Sequence, residues 1–511
     1  MINIYEPNIK KYSSSAIDAI NSGWISNHGI YVKKSTDKLK EILKIKNVIL
    51  MANGTCATHC LFLALKYKYP ELKKIYVSNN CYVAAWNSLL MEYSKENIEV
   101  LKMDLETWNI NTDIDYINSL DKNAAVLIVH NLGNIINVPR LKRLRPDLIF
   151  IEDNCEGLFG KYEDIYSGTS EQTLCSSISF YGNKIITTGE GGAFLTNDDD
   201  IYNYIIKAYS QGLSKKRYLH DTHAYNYRMT NIQAAFLYDQ LNDLDNILTN
   251  KNNIFKNYEN LLENLIINNK IKLFKKEDST DNAYWIFSIR IINNKLTHEE
   301  LYNYFYKNNI DTRPFFYPIN KHKHLSDINF NDEIPDILNN DIIMIPSSPL
   351  ISFEEQKYIV ECINKYVFLL DNNIEIININ NNNKELLINY IPEIKSTTFR
   401  YFNKRNIDVI QNHKLTILLK DVLNEIIFGY VHIDYDEEKY WFGIYLHEEY
   451  QNKKIGSKIM NYVFNLFEIK NLNEIYLTVD NNNYGAIHLY SKYKFEEIKK
   501  YDTHTLMKKI N

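Results

Sequence analysis

The feature that most constrains this chain is where it places glycine. Only 16 of its 511 residues are glycine, about 3% against a usual ~7%, yet seven of them fall between Gly157 and Gly192. A chain this sparing keeps glycine where the backbone must turn sharply or come close to another group. The densest stretch is SFYGNKIITTGEGG at 179–192, where Lys184 stands five residues after a serine and just before Gly-Glu-Gly-Gly. That setting suits a lysine held against a phosphate-bearing cofactor. Standing alone, Lys184 would read as a solvated surface lysine, but the segments upstream argue otherwise.

The apolar run Leu148-Ile149-Phe150-Ile151 predicts a buried strand, with Asp153 just past its end. Ligands in open α/β sheets bind at the carboxyl ends of strands, which directs Asp153 toward a cleft. A carboxylate there can keep a pyridine nitrogen protonated and make the ring an electron sink; in isolation it would suit a turn or a helix cap. A third segment, NGTCATH at 53–59, follows the apolar run 48–51 and opens a helical pattern whose free N–H groups suit a phosphate. CYVAAWN at 81–87 sets Tyr82 after the strand-like Ile75-Tyr76-Val77, where its ring could stack on a planar group or belong to the core. YNYRMTNIQAA at 225–235 leads into another helix.

In this order and spacing the five segments resemble the DegT/DnrJ/StrS sugar aminotransferases, pyridoxal-phosphate (PLP) enzymes of fold type I. The likeness covers residues 1–370 and implies a large mixed-sheet α/β domain at 1–245 and a small α+β domain at 246–370. By the resemblance Lys184 is the Schiff-base lysine, Asp153 the partner of the pyridine nitrogen and Tyr82 the ring-stacking aromatic. Gly54, Thr55, Cys56 and Ser179 form the phosphate cup, and Glu156 lies near the ring's phenolic oxygen. Asn226 reaches the phosphate of a neighbouring subunit, in a homodimer with shared sites. Trp24 and Ser26, with Gly29, help close the substrate site. TRPFFYPIN at 312–320 resembles the perosamine-synthase-like variant. It makes Arg313 a candidate for the donor carboxylate or the sugar's phosphates, or equally part of a packing turn. A dehydrase subgroup has histidine in place of the lysine, so Lys184 favours transamination.

Past a final helix expected at 354–370, residues 371–383 read as an Asn-rich linker. Residues 384–511 suit one more small α/β domain, with strands expected at 415–419, 426–433, 440–446, 474–479 and 505–508 and helices at 455–467 and 484–493. EEYQNKKIGSKIM at 448–460 runs from a loop into a helix, and TVDNNNYGAIHLYSKYKF at 478–495 sets Asn483 and Tyr490 about two turns apart. Together these motifs resemble the GNAT N-acetyltransferases. The resemblance implies that Gln451, Lys453, Lys454, Ile455, Gly456 and Ser457 cradle the pyrophosphate of acetyl-CoA. Asn483 then contacts the pantetheine arm and Tyr490 protonates the departing thiolate. His447 and Glu448 are the candidates for meeting the incoming amine, or plain strand-end residues. Lys454 and Lys494 stand where that family has glycine, which predicts a loop less free to take positive φ.

Composition limits the alternatives. A net charge of −5 lacks the basic footprint of a nucleic-acid binder. No signal sequence is visible and no apolar run reaches the ~18 residues of a membrane span, so a cytoplasmic enzyme with no membrane partner is expected. The six cysteines show no zinc-type spacing, and neither a metal nor a disulfide framework is expected. The whole reads as a bifunctional nucleotide-sugar enzyme. It would move an amino group from L-glutamate to a nucleotide-linked 4-keto-6-deoxyhexose, then acetylate the new amine with acetyl-CoA. Two other readings stand beside it: amination of a 3-keto sugar, and a PLP-binding regulatory scaffold with a degenerate acetyltransferase domain.

Overall fold

Asn47–Met51, Ile75–Ser78 and Ala125–Val129 are buried at every residue, the pattern of strands covered on both faces. In the computed structural model they belong to one seven-stranded sheet. Its order is Asn47–Met51, Gly192–Thr196, Thr173–Ser179, Ile149–Asp153, Ala125–Val129, Ile75–Ser78 and Ile98–Leu101. Successive side chains of a strand point to opposite faces. Val48, Leu50, Val126 and Ile128 accordingly join one core, and Ile49, Met51, Leu127 and Val129 the other. Full burial of each such aliphatic side chain contributes about 1.5–3 kcal/mol. The structure describes every residue except Lys215, Arg217, Lys295, Leu296, Lys404 and Asn511.

One strand runs against the others. Gly192–Thr196 is antiparallel to both of its neighbours, whereas the remaining neighbours pair in parallel. The carboxyl ends Met51, Ser78, Leu101, Val129, Asp153 and Ser179 therefore line a single edge. The reversed strand begins at that same edge, with Gly192.

The described residues divide into two compact units, Met1–Asn260 with Asn268–Gln356, and Leu261–Ile267 with the chain from Lys357 onward. Within the range expected for the small domain, 246–370, lies a four-stranded antiparallel sheet, Ile271–Lys272, Ser288–Ile291, Ile342–Met344 and Arg313–Pro314. It lies in the first unit with the large sheet, because Trp285, Phe315, Ile342 and Met344 share a core with Val48 and Leu50.

The second unit carries another seven-stranded sheet, ordered Ile374–Asn378, His413–Asp421, Ile426–Asp436, Lys439–Leu446, Glu474–Asp480, His504–Ile510 and Glu496–Lys500. The linker expected at 371–383 is corrected here. Ile374–Asn378 pairs antiparallel with His413–Asp421, and Ile374 and Ile376 enter the core while Glu375 faces out. This period-two pattern lay hidden in the asparagine-rich composition. Glu496–Lys500 was also not expected as a strand; it is a charged, fully exposed edge. The parallel neighbours Lys439–Leu446 and Glu474–Asp480 pair only at Tyr440–Ile475 and Trp441–Tyr476 and then part, leaving a cleft.

Lys251 gives the first unit a measurable pH dependence. It is 1% exposed and donates to the Ser347 carbonyl at 2.6 Å, and burial lowers its ammonium pKa from the usual 10.5 to about 7. Between these values the unfolded chain binds the proton that the folded chain has lost, so stability rises with pH. The parent's Tm measured relative to Lys251→Met should therefore climb between pH 7 and 10 and stay level below pH 7. A pH-independent difference in thermal unfolding would show that the lysine is not desolvated.

Candidate functional site

The strand Asn47–Met51 turns through Asn53 into the fifteen-residue helix Gly54–Lys68. The Asn53 side-chain oxygen accepts the Cys56 N–H at 2.9 Å, an N-cap that frees the geometry of the first turn from solvent competition. Two glycines let three strand ends crowd together. A Cβ on Gly54 would stand 2.7 Å from Ser179 Cβ, and one on Gly192 would stand 2.6 Å from the Asn53 carbonyl oxygen. The helix thus starts against Ser179, with Thr55 and Cys56 in its first turn at the positive end of the helix dipole. Burial pushes the Cys56 thiol up to about 11, which keeps it a neutral group there.

Asp153 ends the strand Ile149–Asp153 and is 7% exposed. One carboxylate oxygen accepts the Cys155 N–H at 3.1 Å and the Ser177 hydroxyl at 3.5 Å. Among the described residues these hydrogen bonds come from neutral groups, so the carboxylate is positioned without being neutralised. The residue before it, Glu152, is fully buried and accepts from His130 Nε2 at 2.8 Å, Tyr162 Oη at 3.0 Å, the Gly168 N–H at 2.9 Å and the Thr173 hydroxyl. His130 Nδ1 accepts the Ile136 N–H at 3.1 Å, which places the ring proton on Nε2. This network fixes the strand end that carries Asp153.

Lys184 lies in the turn between Thr173–Ser179 and Gly192–Thr196. Its carbonyl accepts Tyr5 Oη at 2.7 Å and its N–H donates to the Tyr181 carbonyl at 2.9 Å. The ammonium sits 3.9 Å from the centre of the Trp285 ring, whose N–H in turn holds the Asn183 carbonyl at 2.9 Å. A cation over an aromatic face is stabilised by about 0.5–2 kcal/mol. Glu156 registers both reactive groups. Burial raises its carboxyl pKa to about 7, the Lys184 charge opposes that rise and the Asp153 charge adds to it; its Oε2 accepts the Leu132 N–H at 2.8 Å. A lysine on the turn from Ser179 to Gly192, a carboxylate at the end of Ile149–Asp153 and a helix start closed against Ser179 share one sheet edge, a set of groups that fits a pyridine ring carrying a phosphate ester.

Tyr82 caps the helix Val83–Leu90, is 61% exposed and meets Phe316 edge-on at 6.2 Å, so one ring face is open to a ligand. Trp24 is exposed, and the turn from Trp24 through Ser26 is tied by Asn231. That side chain donates to the Trp24 carbonyl at 2.7 Å and accepts the Tyr31 N–H at 2.8 Å, while its own N–H points at the Ile25 and Ser26 carbonyls at 3.1 Å. Arg313 is half exposed and ion-paired with Asp311. Asn226 is exposed, and its Oδ1 accepts Arg228 Nε at 2.8 Å. Tyr227 and Arg228 pair with Ala52 and Met51 beside the cradle. Sequence reasoning missed Tyr5, Trp285, His130 and Asn231, whose only link to the site is contact across 100 or more residues or through a buried network.

In the second unit, Thr478–Asp480, Phe442–Ile444, Asn483 and Tyr490 line one cavity of about 500 Å³ where the two parallel strands part. Asn483 caps the helix Tyr484–Lys492 through the Ala486 N–H at 3.2 Å. Burial pushes the Tyr490 hydroxyl up to about 12, so it carries its proton at neutral pH. The two lysines that stand in place of glycine, Lys454 before the helix Ile455–Asn465 and Lys494 after the helix Tyr484–Lys492, do not obey the expectation of a hindered positive φ. Lys454 takes φ +63° and Lys494 φ +66°, so both adopt the left-handed turn that glycine would give, at about 1–2 kcal/mol each. Gln451 Nε2 holds the Leu446 carbonyl at 2.8 Å, Lys453 lies over the Tyr450 ring and the Ser457 hydroxyl meets Tyr493 Oη at 3.0 Å. Gly456 serves packing as well, since a Cβ there would stand 3.1 Å from Leu489. His447 and Glu448 do not line the cavity; His447 stacks on Tyr390 and Glu448 opens a short turn. Among the described residues no cluster of side chains could hold a metal ion, and no helix is long and apolar enough to cross a membrane.

Residues 8–364 match the model of the DegT/DnrJ/EryC1/StrS aminotransferase family, and residues 383–495 that of the acetyltransferase (GNAT) family. The GDP-perosamine synthase of Escherichia coli O157:H7 is 32% identical over 372 residues, covering 71% of this chain and 98% of that protein. The GDP-perosamine synthase of Vibrio cholerae is 32% identical over 389 residues, covering 72% and 99%. Among solved structures, a sugar aminotransferase from Micromonospora echinospora superposes with a TM-score of 0.61 at 18% identity, over 71% of this chain and 99% of that one. The E. coli GDP-4-keto-6-deoxy-D-mannose-3-dehydratase with bound hydrated PLP gives 0.63 at 19%, over 71% and 99%. At these identities the structural likeness establishes the fold, that of the PLP fold type I enzymes, with the GNAT domain C-terminal to it.

The cradle makes a direct prediction. Gly54→Ala forces a methyl against Ser179 and should weaken binding of pyridoxal phosphate by roughly 10-fold or more, a loss of about 1.4 kcal/mol, while far-ultraviolet circular dichroism stays that of the parent. Titration followed by absorbance reads this; parent-like affinity would show that the Gly54–Ser179 approach does not shape the phosphate site.

Proposed function

This chain belongs to the DegT/DnrJ/EryC1/StrS aminotransferase family, and from that premise we propose that it converts a nucleotide-linked 4-keto-6-deoxyhexose into its 4-amino derivative with L-glutamate as donor. Guanosine diphosphate is the carrier we favour, because both 32%-identical relatives are GDP-perosamine synthases. The observation that carries the reading is that one sheet edge holds the end of Ile149–Asp153, the start of the Gly54–Lys68 helix against Ser179, and the turn from Ser179 to Gly192 that bears Lys184. Bound there, pyridoxal phosphate supplies an electron sink for the carbanion at the donor's α-carbon. Asp153 holds a proton at the pyridine nitrogen, its carboxylate kept in place by Cys155 and Ser177. Lys184 Nζ takes the proton from the donor's α-carbon and, in the second half-reaction, delivers one to C4 of the sugar. Thr55, Cys56 and Ser179 hold the phosphate, Tyr82 covers one ring face and Arg313 meets the donor carboxylate. Asn226 completes the phosphate site of a second subunit in a homodimer.

The second step we propose is N-acetylation of the new amine by the C-terminal domain, residues 384–511, with acetyl-CoA. The loop 451–457 wraps the pyrophosphate, Asn483 orients the pantetheine arm, and Tyr490 Oη gives its proton to the leaving sulfur. The first product is the nucleophile the second step needs, and one covalent chain keeps the two activities at a raised local concentration.

Incubating the full chain with pyridoxal phosphate, L-glutamate and GDP-4-keto-6-deoxymannose should yield the amino sugar by mass spectrometry, with one acetyl group added when acetyl-CoA is present; UDP- and dTDP-linked analogues test the carrier. Lys184→Ala should abolish amine formation, and Asp153→Asn should lower it on the order of 100-fold. Amine formation by Lys184→Ala at the parent's rate would overturn the assignment. The pH profile of amination should carry a limb near pH 7 from loss of the Glu156 proton. Glu156→Gln should flatten that limb, and an unchanged profile would assign it elsewhere.

A further inference from the structure

The cleft between the parting strands of the second unit carries polar groups that lie outside every motif above. His432 and Asp434 are two residues apart on Ile426–Asp436, hence on one face, and both are almost wholly buried, at 2% and 4% exposure. Opposite His432 stands Gly443, where a Cβ would come within 2.2 Å of His432 Cε1; the imidazole occupies the space of the missing side chain. The Tyr401 ring packs on His432 with centres 3.9 Å apart. Its hydroxyl lies 2.6 Å from Asp434 Oδ2 and 2.6 Å from His413 Nε2, and His413 Nδ1 lies 2.8 Å from the Thr416 hydroxyl. One proton assignment satisfies the chain: Thr416 donates to Nδ1, Nε2–H to Tyr401 Oη, and Tyr401 to Asp434.

This is more than a satisfied core network. His432 Nδ1 is buried and has no hydrogen-bond partner among the described residues, a cost that it shares with His447 Nε2; what separates the two rings is that His432 lines the cavity and His447 does not. Tyr401, His432 and Asp434 line the same cavity as Tyr490 and Asn483, and its volume of about 500 Å³ lies in the range of small-molecule sites. Burial holds His413 down to about 4 and His432 well below its usual value, so both rings are neutral bases at pH 7. The more exposed Arg400 and Arg405 line the cavity too, each paired with an aspartate of the same lining, Asp480 and Asp436.

We infer that the Asp434–His432 wall, and not His447 or Glu448, is the acceptor-amine subsite of the acetyltransferase, with Asp434 as the group that takes the amine's proton. The inference rests on the acetyl transfer proposed above. The amine lone pair forms the C–N bond to the acetyl carbon, the C–S bond breaks with its electron pair on sulfur, and the sulfur takes the Tyr490 proton. The proton lost by nitrogen passes to Asp434 and returns to Tyr490 through solvent. His432 Nδ1 accepts a hydrogen bond from the acceptor, while Tyr401 and His413 are positioning residues that aim the carboxylate.

The test uses the full chain, acetyl-CoA and the GDP-linked 4-amino-4,6-dideoxy sugar as acceptor. Asp434→Asn should lower kcat/KM for acetylation by about 100-fold or more while acetyl-CoA binding by calorimetry stays within two-fold of the parent. The retained binding shows that the domain is folded. Tyr401→Phe should lower kcat about 10-fold, a loss on the scale of one hydrogen bond, without moving the KM for acetyl-CoA. His447→Gln and Glu448→Gln should acetylate at the parent's rate. An active parent with an equally active Asp434→Asn, or loss of acetylation in the His447 or Glu448 variants instead, overturns this inference alone. A parent that binds acetyl-CoA but acetylates nothing overturns the acetyltransferase reading together with it.

Discussion

The first unit depends on a steric fact, the close approach of Gly54 and Gly192 to their neighbours. Gly192 opens the one reversed strand of the large sheet and stands between Met51 and Ser179. A side chain there would meet the Asn53 carbonyl at 2.6 Å and push the two flanking strands apart. Because it is glycine, the start of the helix Gly54–Lys68 can lie against Ser179, and the phosphate cradle closes. The turn that carries Lys184 is bounded by the same two strands, so the cradle and the base are placed by one constraint.

Around that edge the chain holds its reactive groups by indirect means. Asp153 is oriented by neutral donors, and Glu152, one residue earlier and fully buried, is held by four more. Lys184 is held through its backbone by Tyr5 and over the face of Trp285, which steadies a cation without quenching it as a carboxylate would. Both arrangements leave the functional atom electrostatically unsatisfied in the direction of the cleft. The second unit repeats the device in a different chemistry: Tyr401 and His413 orient Asp434, Gly443 makes room for His432, and Tyr490 keeps its proton through burial. Its loop shows how far context can override local preference. Lys454 and Lys494 take left-handed φ where glycine is the easier choice, and the packing of the helices they flank, Ile459, Met460 and Val463 from one and Tyr490 from the other, outweighs a strain of about 1–2 kcal/mol each.

What the sequence determined by itself was everything encoded within one short segment. The buried strands follow from apolar runs, the helix after Met51 from the Asn-Gly-Thr segment that opens it, and the crowded turn from glycine clustering. Lys184 and Asp153 were legible because each sits next to such a signal. Where composition masked periodicity, as at Ile374–Asn378 among asparagines, the strand was lost to a linker reading although its alternation was present. What only the tertiary structure decided was which distant groups meet: Tyr5 and Trp285 on the Lys184 turn, Asn231 on the Trp24 segment, and Tyr401, His413, His432 and Asp434 in one cluster. The physical reason is that a hydrogen bond or a ring contact depends on position to within an ångström, and pairing register sets that position between segments whose separation in the chain carries no trace of it.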